Sequence, residues 1–354
     1  MPATQRALTG YAVGALALLG LMFCFVFTTT AATKPLATLG GGTMGTFWRL
    51  QYWREGGVDA SLDAVLVAEL ARLDRSVFST YAPDSELSRL NGNPAVDAVT
   101  LSPDLFAVLQ MAQAVYAHSD HAFDPTVGPL VRLWGFGPDA VDEDTVPAAA
   151  DIAAARAKLG MSAVQLQAQS RSVIRAQAVE LDLSAIAKGY AADVLATLLQ
   201  RRGINDYLLD VGSEVRVAGR KPDGSSWRIA IEKPENTAPS AFAVLDTQGE
   251  TLAVSSSGDY RTYREIGGKR YSHEIDPRSG WPIDHALTAV TVVADTAALA
   301  DAWATALLVL GPHQGLRLAD DLGLSAYFII HTNHGVEAKT SQRFKERFSG
   351  LDYL

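Results

Sequence analysis

The sequence predicts an α+β fold in which helices cover a mostly antiparallel sheet, and three observations lead to this prediction. Short runs of alternating or β-branched residues follow one another closely from about position 163 onwards. Segments with helical apolar spacing lie before, between and after these runs. The chain shows no internal repeat and no low-complexity tract. Clustered strands with interspersed helices are typical of α+β architecture.

Several segments have the apolar spacing of helices. The first is "LDAVLVAELARLDRSVF", and the second is "SPDLFAVLQMAQAVYAHSD", which Ser102 and Pro103 open. A third helix follows the turn in "LDLSAIAKGYAADVLATLLQRRG" and ends at Gly203. In "VTVVADTAALADAWATALLVLG", a β-branched strand leads into an almost wholly apolar helix. These segments supply the helical layer of the predicted fold.

The predicted strands are short. "GGGTMGTFWRLQYW" opens the domain as a strand, and "AVQLQAQSRSVIRAQ" has the pattern of a hairpin. Further strands are predicted at "DYLLDVG", "EVRVAG", "WRIAIEKP", "AFAVLDTQGETLAVSSS", "RYSHEIDP" and "LSAYFII". The segment "AFDPTVGPLVRLWGFGP" carries three prolines and three glycines, and we expect an ordered loop there rather than a helix or strand.

Residues 1–35 have the pattern of a signal peptide or membrane anchor. An uninterrupted apolar run from Tyr11 to Phe27 follows a short region whose charge is Arg6. Cys24, the only cysteine, lies within this run, where the large Phe23 before it disfavours a lipidation site. We therefore expect an exported domain without disulfides on the periplasmic side of the inner membrane.

The composition is ordinary for a globular enzyme, with 48% hydrophobic and 19% charged residues. The formal net charge of −9 argues against nucleic acid as the main partner, because binding a phosphate backbone needs a basic face. A small anionic ligand remains compatible with this charge, since a local cluster of donors or a metal can override the global sign.

A carboxylate and a hydroxyl lie in the middle of the apolar helix. Asp301 and Thr305 are spaced i,i+4 and therefore share one helix face. A lone carboxylate is costly to bury, and Mg²⁺ prefers oxygen ligands of this kind. The alternative is structural: Asp301 caps or pairs with a neighbouring element, and Thr305 bonds back to its own helix.

Two other segments carry groups suited to phosphate chemistry. "LDLSAIAKGYAAD" places Asp182 and Lys188 around a helix start, where small residues let backbone groups approach a phosphate. "RYSHEIDPRSGWPID" places His273 in a short polar segment, and a histidine can take up a proton near neutral pH. The alternatives are a solvated lysine at a tight turn and a structural histidine that bonds a loop.

Taken together, these segments resemble the ApbE family of FAD:protein FMN transferases. The resemblance covers residues 40–354 and rests on seven ordered matches: "GTMGT", "FSTYAPDSELSRLN", "FDPTVGPLVRLWGFG", "LDLSAIAKGYAAD", "SSSGDYR", "YSHEIDPRSGWP" and "ADAWATALLVLG". The chain departs from the family where it reads Leu183-Ser184-Ala185 and Gly212-Ser213, since paired glycines are frequent there. Backbone carbonyls can serve at these positions without glycine.

The resemblance implies an activity and a set of site residues. FMN would pass from FAD to a Thr or Ser hydroxyl of a partner protein, with AMP released and FAD held in a cleft between two lobes. The implied metal ligands are Ala185 through its carbonyl, Asp301 and Thr305, which would hold Mg²⁺. The implied nucleotide contacts are Met44, Tyr81, Ala122, Phe123, Asp124, Asp182, Lys188 and Ile275. His273 is the candidate base, and the partners would be subunits of membrane redox complexes or exported flavoproteins.

Two other functions are compatible with the same residues. A Mg²⁺-dependent FAD pyrophosphatase would use water in place of the acceptor and release free FMN and AMP. A non-catalytic periplasmic flavin-binding protein would leave FAD intact, but it gives no reason for a carboxylate in an apolar helix. The chain has no match to the acceptor motif of the family, so we do not expect it to modify itself.

Overall fold

The computed structural model describes residues 35–94, 97–137, 145–235, 240–333, 335–349 and 351–353. Residues 34–354 form one compact unit. The predicted N-terminal segment, with Cys24, lies outside the described residues apart from Pro35. Within the described part of the chain, none of the helices combines the length and the apolar character needed to cross a bilayer.

The order of elements is that of a mixed α and β chain. The helices are α1 Leu62–Ala71, α2 Glu86–Gly92, α3 Pro103–His118, α4 Gly128–Leu133, α5 Ala149–Arg156, α6 Ser184–Arg201, α7 Ala297–Asp321 and α8 Gln342–Arg347. A π-helix continues α1 over Arg72–Phe78, and a 3₁₀ turn covers Met161–Ala163.

The strands are β1 Ala37–Thr43, β2 Thr46–Trp53, β3 Val99–Thr100, β4 Val164–Gln167, β5 Ser172–Arg175, β6 Asp206–Val211, β7 Glu214–Ala218, β8 Arg228–Glu232, β9 Ala241–Asp246, β10 Leu252–Gly258, β11 Tyr263–Ile266, β12 Lys269–Ser272, β13 Ile275–Asp276, β14 Trp281–Pro282, β15 Leu287–Ala294, β16 Ser325–Thr332, β17 Gly335–Thr340 and β18 Asp352–Tyr353.

An eight-stranded sheet in the order β1-β2-β6-β7-β10-β15-β16-β17 forms the centre of the molecule. Each pairing between its strands is antiparallel, as the sequence predicts. The α+β class is therefore confirmed. The strands of this sheet follow chain order, but β3–β5, β8–β9 and β11–β14 lie in smaller sheets, in one of which β9 pairs with both β8 and β18.

The alternation of side chains along β16 shows how the layers form. Ala326, Phe328 and Ile330 face a core shared with α1, α3, α6 and α7, whereas Tyr327 and Ile329 face a second core under β8, β9 and α8. Both faces of the sheet are thus covered, which explains the continuous apolar run of this strand. A third, smaller cluster joins α4, α5 and Ile275.

Most predicted elements are confirmed, and two expectations were wrong. The Ser102 side chain caps α3 by accepting a hydrogen bond from the Leu105 backbone N–H. The opening segment is a hairpin of two strands rather than one strand. The segment expected to be a loop around position 128 contains α4, since a proline in the first turn of a helix loses no intrahelical hydrogen bond.

The long apolar helix α7 bends where the sequence contains Gly311 and Pro312. Gly311 has φ +78°, a conformation that favours glycine, and Pro312 then starts the second half of the helix. The first half packs against β10, β15 and α6. Asp301 and Thr305 belong to this buried half.

Candidate active site

The candidate site is centred on the crossing of α6 and α7. Gly189 of α6 lies so close to α7 that a Cβ atom built on it would be 2.3 Å from the Ala297 carbonyl oxygen. The backbone N–H of Gly189 can therefore donate to Asp301 Oδ2, at 3.1 Å. A residue with a side chain at this position would separate the two helices and lengthen this bond.

Asp301 is one of two buried carboxylates that share a single ammonium group. Asp301 is 2% exposed, and the Lys188 ammonium lies 3.8 Å from its Oδ2. The same Lys188 Nζ lies 2.8 Å from Glu214 Oε1 on β7. Two carboxyl groups therefore share one ammonium, and a further cation bound nearby would favour the ionised form of both.

The environment shifts the pKa values of these three groups. Burial raises the pKa of Asp301, and Lys188 offsets part of that effect. Burial also raises the pKa of Glu214 to about 8, against the opposing effect of Lys188. Burial disfavours the charge of Lys188 as well, but the two carboxylates outweigh it and raise its pKa. The lysine is therefore a fixed positive charge at this site.

The predicted metal ligands lie around this crossing. Thr305 follows Asp301 by one turn, and its Oγ1 lies 3.0 Å from Ser257 Oγ on β10. Ala185 is the residue of α6 with non-helical dihedrals, φ −88° and ψ 15°. Ala185 lies four residues before Gly189, whose N–H donates to Asp301 Oδ2.

The donor set fits Mg²⁺. It consists of a carboxylate, a hydroxyl and a backbone carbonyl, all oxygen donors, and it leaves positions for water or phosphate. Within the described ranges no three His, Cys, Asp or Glu side chains form a metal cluster. The buried Glu214 Oε2 lacks a hydrogen-bond partner among the described residues.

His273 is oriented by a backbone carbonyl. Its Nδ1 lies 2.9 Å from the Thr262 carbonyl oxygen, which can only accept, so Nδ1 carries the proton of the neutral ring. Its Nε2 is then the basic atom, and it lies 3.6 Å from Glu274 Oε1. Burial raises the pKa of Glu274, whose carboxyl also interacts electrostatically with Lys188 and Asp301. This glutamate connects His273 to the buried cluster.

Three of the predicted nucleotide-contact segments are joined by hydrogen bonds. The Asp182 N–H donates to the Pro125 carbonyl at 2.7 Å, beside the 122–124 segment. The Asn91 amide, beyond Tyr81, makes two 2.8 Å bonds with the backbone of Leu181. These bonds hold the loops in one arrangement at the start of α6.

The individual residues differ in exposure. Ala122 and Phe123 are buried, and burial raises the pKa of Asp124, whose Oδ1 accepts two hydrogen bonds from Thr126. Tyr81 is 70% exposed, so a ligand can reach its ring.

Met44 and Ile275 occupy the ends of two hairpins. Met44 has φ +46° in the turn between β1 and β2, and its N–H donates to Asp74 Oδ2 at 3.3 Å. Ile275 is buried in β13, where it pairs with Pro282. A Cβ atom built on Gly212 would lie 2.6 Å from Thr46 Cγ2 and 3.4 Å from Lys188 Cδ, so the β1–β2 turn lies close to the buried cluster.

Glu214, Ser257 and Glu274 were not selected from the sequence. Glu214 and Ser257 lie on strands, and their proximity to Lys188 and Thr305 depends on the order of strands in the sheet. One signal was available for Glu214: it opens β7, whose five residues are all buried. A charged residue in such a strand needs a partner, which here is Lys188.

Comparison with known proteins identifies related sequences and folds. The model of the ApbE family matches residues 44–328. An FAD:protein FMN transferase from Klebsiella pneumoniae (strain 342) is 40% identical over 329 residues, which is 91% of this chain and 92% of that protein. The protein of the same name from Escherichia coli (strain K12) is 38% identical over 322 residues, 89% of this chain and 90% of that protein.

Solved structures agree with the sequence comparison. The flavin transferase ApbE from Vibrio cholerae aligns with a TM-score of 0.80 at 35% identity, covering 88% of this chain and 99% of that one. The flavinyl transferase ApbE from Pseudomonas stutzeri, in its apo form, aligns with a TM-score of 0.80 at 39% identity, covering 90% and 98%.

Proposed function

This chain belongs to the ApbE family, and from that premise we propose that it transfers FMN from FAD to a protein. The acceptor group is a Thr or Ser hydroxyl, and AMP leaves. One observation carries the proposal beyond family membership: a buried carboxylate, Asp301, lies beside Lys188 and one turn from a hydroxyl, in an otherwise apolar helix. Such an arrangement is costly for folding and suits the binding of a diphosphate with a divalent cation.

Ala185, Asp301 and Thr305 are the residues that would hold Mg²⁺. When bound, the ion would neutralise the diphosphate and stabilise the charge that develops on the leaving phosphate. Lys188 adds a positive charge on the same side, and the surrounding apolar residues of α6 and α7 limit the access of water.

His273 takes the proton from the attacking hydroxyl. The hydroxyl oxygen forms a bond to the phosphorus on the flavin side of FAD, and the bond from that phosphorus to the bridging oxygen breaks. The oxygen leaves with AMP, and the proton moves to His273 Nε2. The Thr262 carbonyl fixes the ring, and Glu274 stabilises the imidazolium that forms.

The nucleotide occupies a cleft between two lobes, lined by Met44, Tyr81, Ala122, Phe123, Asp124, Asp182, Lys188 and Ile275. Support for this assignment comes from the hydrogen bonds that join the 122–125 and 181–182 segments at the start of α6. The exposed ring of Tyr81 can stack on a flat heterocycle.

Incubation with FAD and Mg²⁺, with and without extracts of the source cell, tests the transfer. We expect one or more proteins to gain the mass of FMN on a threonine or serine, with AMP released in equal amount. Free FMN formed equally well without acceptor would identify a pyrophosphatase. Intact FAD in every sample would identify a binding protein.

The location follows from residues 1–35. We propose that this segment directs the enzyme to the periplasmic side of the inner membrane, where redox complexes and exported flavoproteins supply acceptors. The apolar run from Tyr11 to Phe27 supports the proposal. Fractionation of cells that express the full chain and a variant without residues 1–35 would test it. Recovery of both in the cytoplasm would contradict it.

A further inference from the structure

Strand β1 forms one edge of the eight-stranded sheet and ends at the candidate site. Its register with β2 is continuous from the pair Ala37–Tyr52 to the pair Thr43–Thr46. Met44 and Gly45 then form a two-residue turn with φ values of +46° and +71°, as in a type I′ hairpin. The edge is therefore straight and regular up to a predicted flavin contact.

Every second residue of β1 directs its backbone groups to the free edge. The Phe47 carbonyl accepts from the Gly212 N–H at 2.9 Å, so the backbone N–H and C=O of Phe47 point away from β1. In an antiparallel pair, the backbone N–H and C=O groups of two opposite residues point either towards each other or both away from each other. The backbone groups of Gly42, the partner of Phe47, therefore point to the free edge. Gly40 and Thr38 follow by alternation. All three are exposed, and nothing in the described ranges bonds to their outward groups.

The edge lacks the features that usually prevent pairing with another chain. Sheet edges are commonly protected by charged side chains, prolines or bulges, and "ATLGGGT" contains none of these. The opposite edge, β17, carries Glu337 and Lys339, whose charged groups lie 3.5 Å apart. The two edges of the same sheet therefore differ, and the unprotected one is next to the site.

An exposed aromatic ring accompanies this edge. Phe47 is 54% exposed and is paired with Gly42, which has no side chain to cover the ring. The end of β1 is also connected to the catalytic cluster. A Cβ built on Gly212 would lie 2.6 Å from Thr46 Cγ2 and 3.4 Å from Lys188 Cδ, and Lys188 contacts Asp301. A strand added at β1 thus points towards the reacting groups.

We propose that β1 is the acceptor-docking edge: the segment of the acceptor protein that carries the Thr or Ser pairs with it as an additional strand. The outward N–H and C=O groups of Thr38, Gly40 and Gly42 bind the backbone of that segment, and Phe47 contacts one of its side chains. The inference rests on the proposed function, because it requires a protein acceptor.

Proline substitutions at outward positions test this proposal. Thr38→Pro and Gly42→Pro each remove one outward N–H and leave the bonds between β1 and β2 in place. Gly42 is preferred to Gly40, because a Cβ at Gly42 lies 3.7 Å from its nearest neighbour, the Thr46 carbonyl, whereas at Gly40 it lies 2.8 Å from the Trp48 carbonyl.

The matched control is Val336→Pro on the opposite edge. The His331 N–H donates to the Ala286 carbonyl on the far side of β16, so its partner Val336 also directs its N–H outward. The substrate is the acceptor protein found by mass spectrometry in the transfer experiment. Its flavinylation is measured as kcat/KM, and FAD affinity is measured by quenching of flavin fluorescence.

We expect kcat/KM for the acceptor to fall about tenfold in each β1 variant, with FAD affinity within about twofold of the wild type and no change in the control. Hydrogen exchange of the wild type should also slow at residues 38–42 when acceptor is added, but not when FAD alone is added. This second measurement does not depend on the folding of any variant.

Several results would overturn the proposal. These are unchanged transfer in both β1 variants, a parallel loss of FAD affinity, unaltered exchange at residues 38–42, or a wild-type dimer that the β1 variants dissociate without loss of transfer. The last result would assign the edge to a second copy of the chain. If the wild type labels no protein at all, the proposed function fails first, and this inference fails with it.

Discussion

Asp193, which is half-buried, and Asp301, which is buried, are both carboxylates that bridge α6 and α7, but they differ in how their charge is satisfied. Asp193 accepts hydrogen bonds of 2.9 Å from the N–H groups of Ala297 and Ala298, and Arg216 Nε lies 3.4 Å from its Oδ1. Asp301 accepts one N–H, from Gly189, and shares Lys188 with Glu214. Burial raises the pKa of both carboxyls.

On the proposed function, the difference separates a structural carboxylate, Asp193, from a functional one, Asp301. Asp193 caps the start of α7 and meets a helix terminus and a guanidinium, both positive, so its charge is balanced within the protein. Around Asp301, two carboxyl groups share one ammonium, and the raised pKa of Glu214 shows that their charge is not balanced within the protein. Burial alone therefore does not identify a site. Buried carboxyl groups that outnumber their positive partners, with raised pKa values, are a stronger indication of a functional site.

The largest effect is expected for Asp301→Ala. Without this ligand the metal would be lost, and we expect transfer to fall at least about 1,000-fold, which is roughly 4 kcal/mol. The midpoint of thermal unfolding should change little, because Lys188 keeps Glu214 as a partner. Asp301→Asn, of the same shape, should be equally inactive. Full activity of the wild type in a chelator would refute the metal assignment.

Asp193→Ala should have the opposite profile. It leaves two N–H groups of the α7 start and Arg216 without their acceptor, so we expect a loss of about 3 kcal/mol in the free energy of unfolding. Urea denaturation measures this loss. The specific activity of the folded fraction at low temperature should remain within about threefold of the wild type. A fully stable but inactive variant would show that the distinction drawn between the two aspartates is wrong.

His273→Ala tests how far the functional region extends from Asp301. We expect kcat to fall about 100-fold, since a general base typically contributes a factor of this order. FAD affinity should change by less than about threefold, because the ring is held by Thr262 rather than by the buried cluster. Stopped assays that quantify the flavinylated acceptor separate the two quantities. An unchanged rate would remove His273 from the mechanism.

The smallest effect is expected for Glu214→Gln, measured in metal-free protein. The pKa of Glu214 in the folded protein, about 8, lies above its ordinary value of 4.5. The contribution of this carboxyl to the free energy of unfolding is therefore fully present below about pH 4.5 and is lost as the pH rises through 8. The free energy of unfolding of the wild type should therefore fall between pH 5 and 8, by on the order of 1 kcal/mol or more. Glutamine should reduce this slope. An identical pH profile in both proteins would contradict the prediction.

The sequence predicted those parts of the site that lie close together along the chain. Asp301 and Thr305 could be paired because helical spacing places them on one face, and Asp182 and Lys188 flank one helix start. Glu214 could not be assigned to Lys188, because that contact depends on how α6 packs over β7. The difference between Asp193 and Asp301 could not be predicted either, because it depends on which charged groups lie next to each of them in the fold.

The fold, like the site, was predictable where it depends on residues close together along the chain. The helices and most strands follow from apolar periodicity and capping residues such as Ser102. The division of β9 and β10 between two sheets does not, since both have the same alternating pattern in one continuous segment. Which strands become neighbours depends on the loops and on both cores at once. The short helix α4 could not be predicted, because the proline and glycines around it are as typical of an ordered loop as of a helix start.

The close approach of α6 and α7 at Gly189 has a consequence for how this enzyme can diverge. The distances between the groups that would hold the ion are set by helices α6 and α7, which are in van der Waals contact, and not by the surrounding loops. Acceptor preference can therefore drift through surface changes while the inner dimensions stay constant. Conversely, a single methyl group added at Gly189 would reduce the rate of transfer to every acceptor alike.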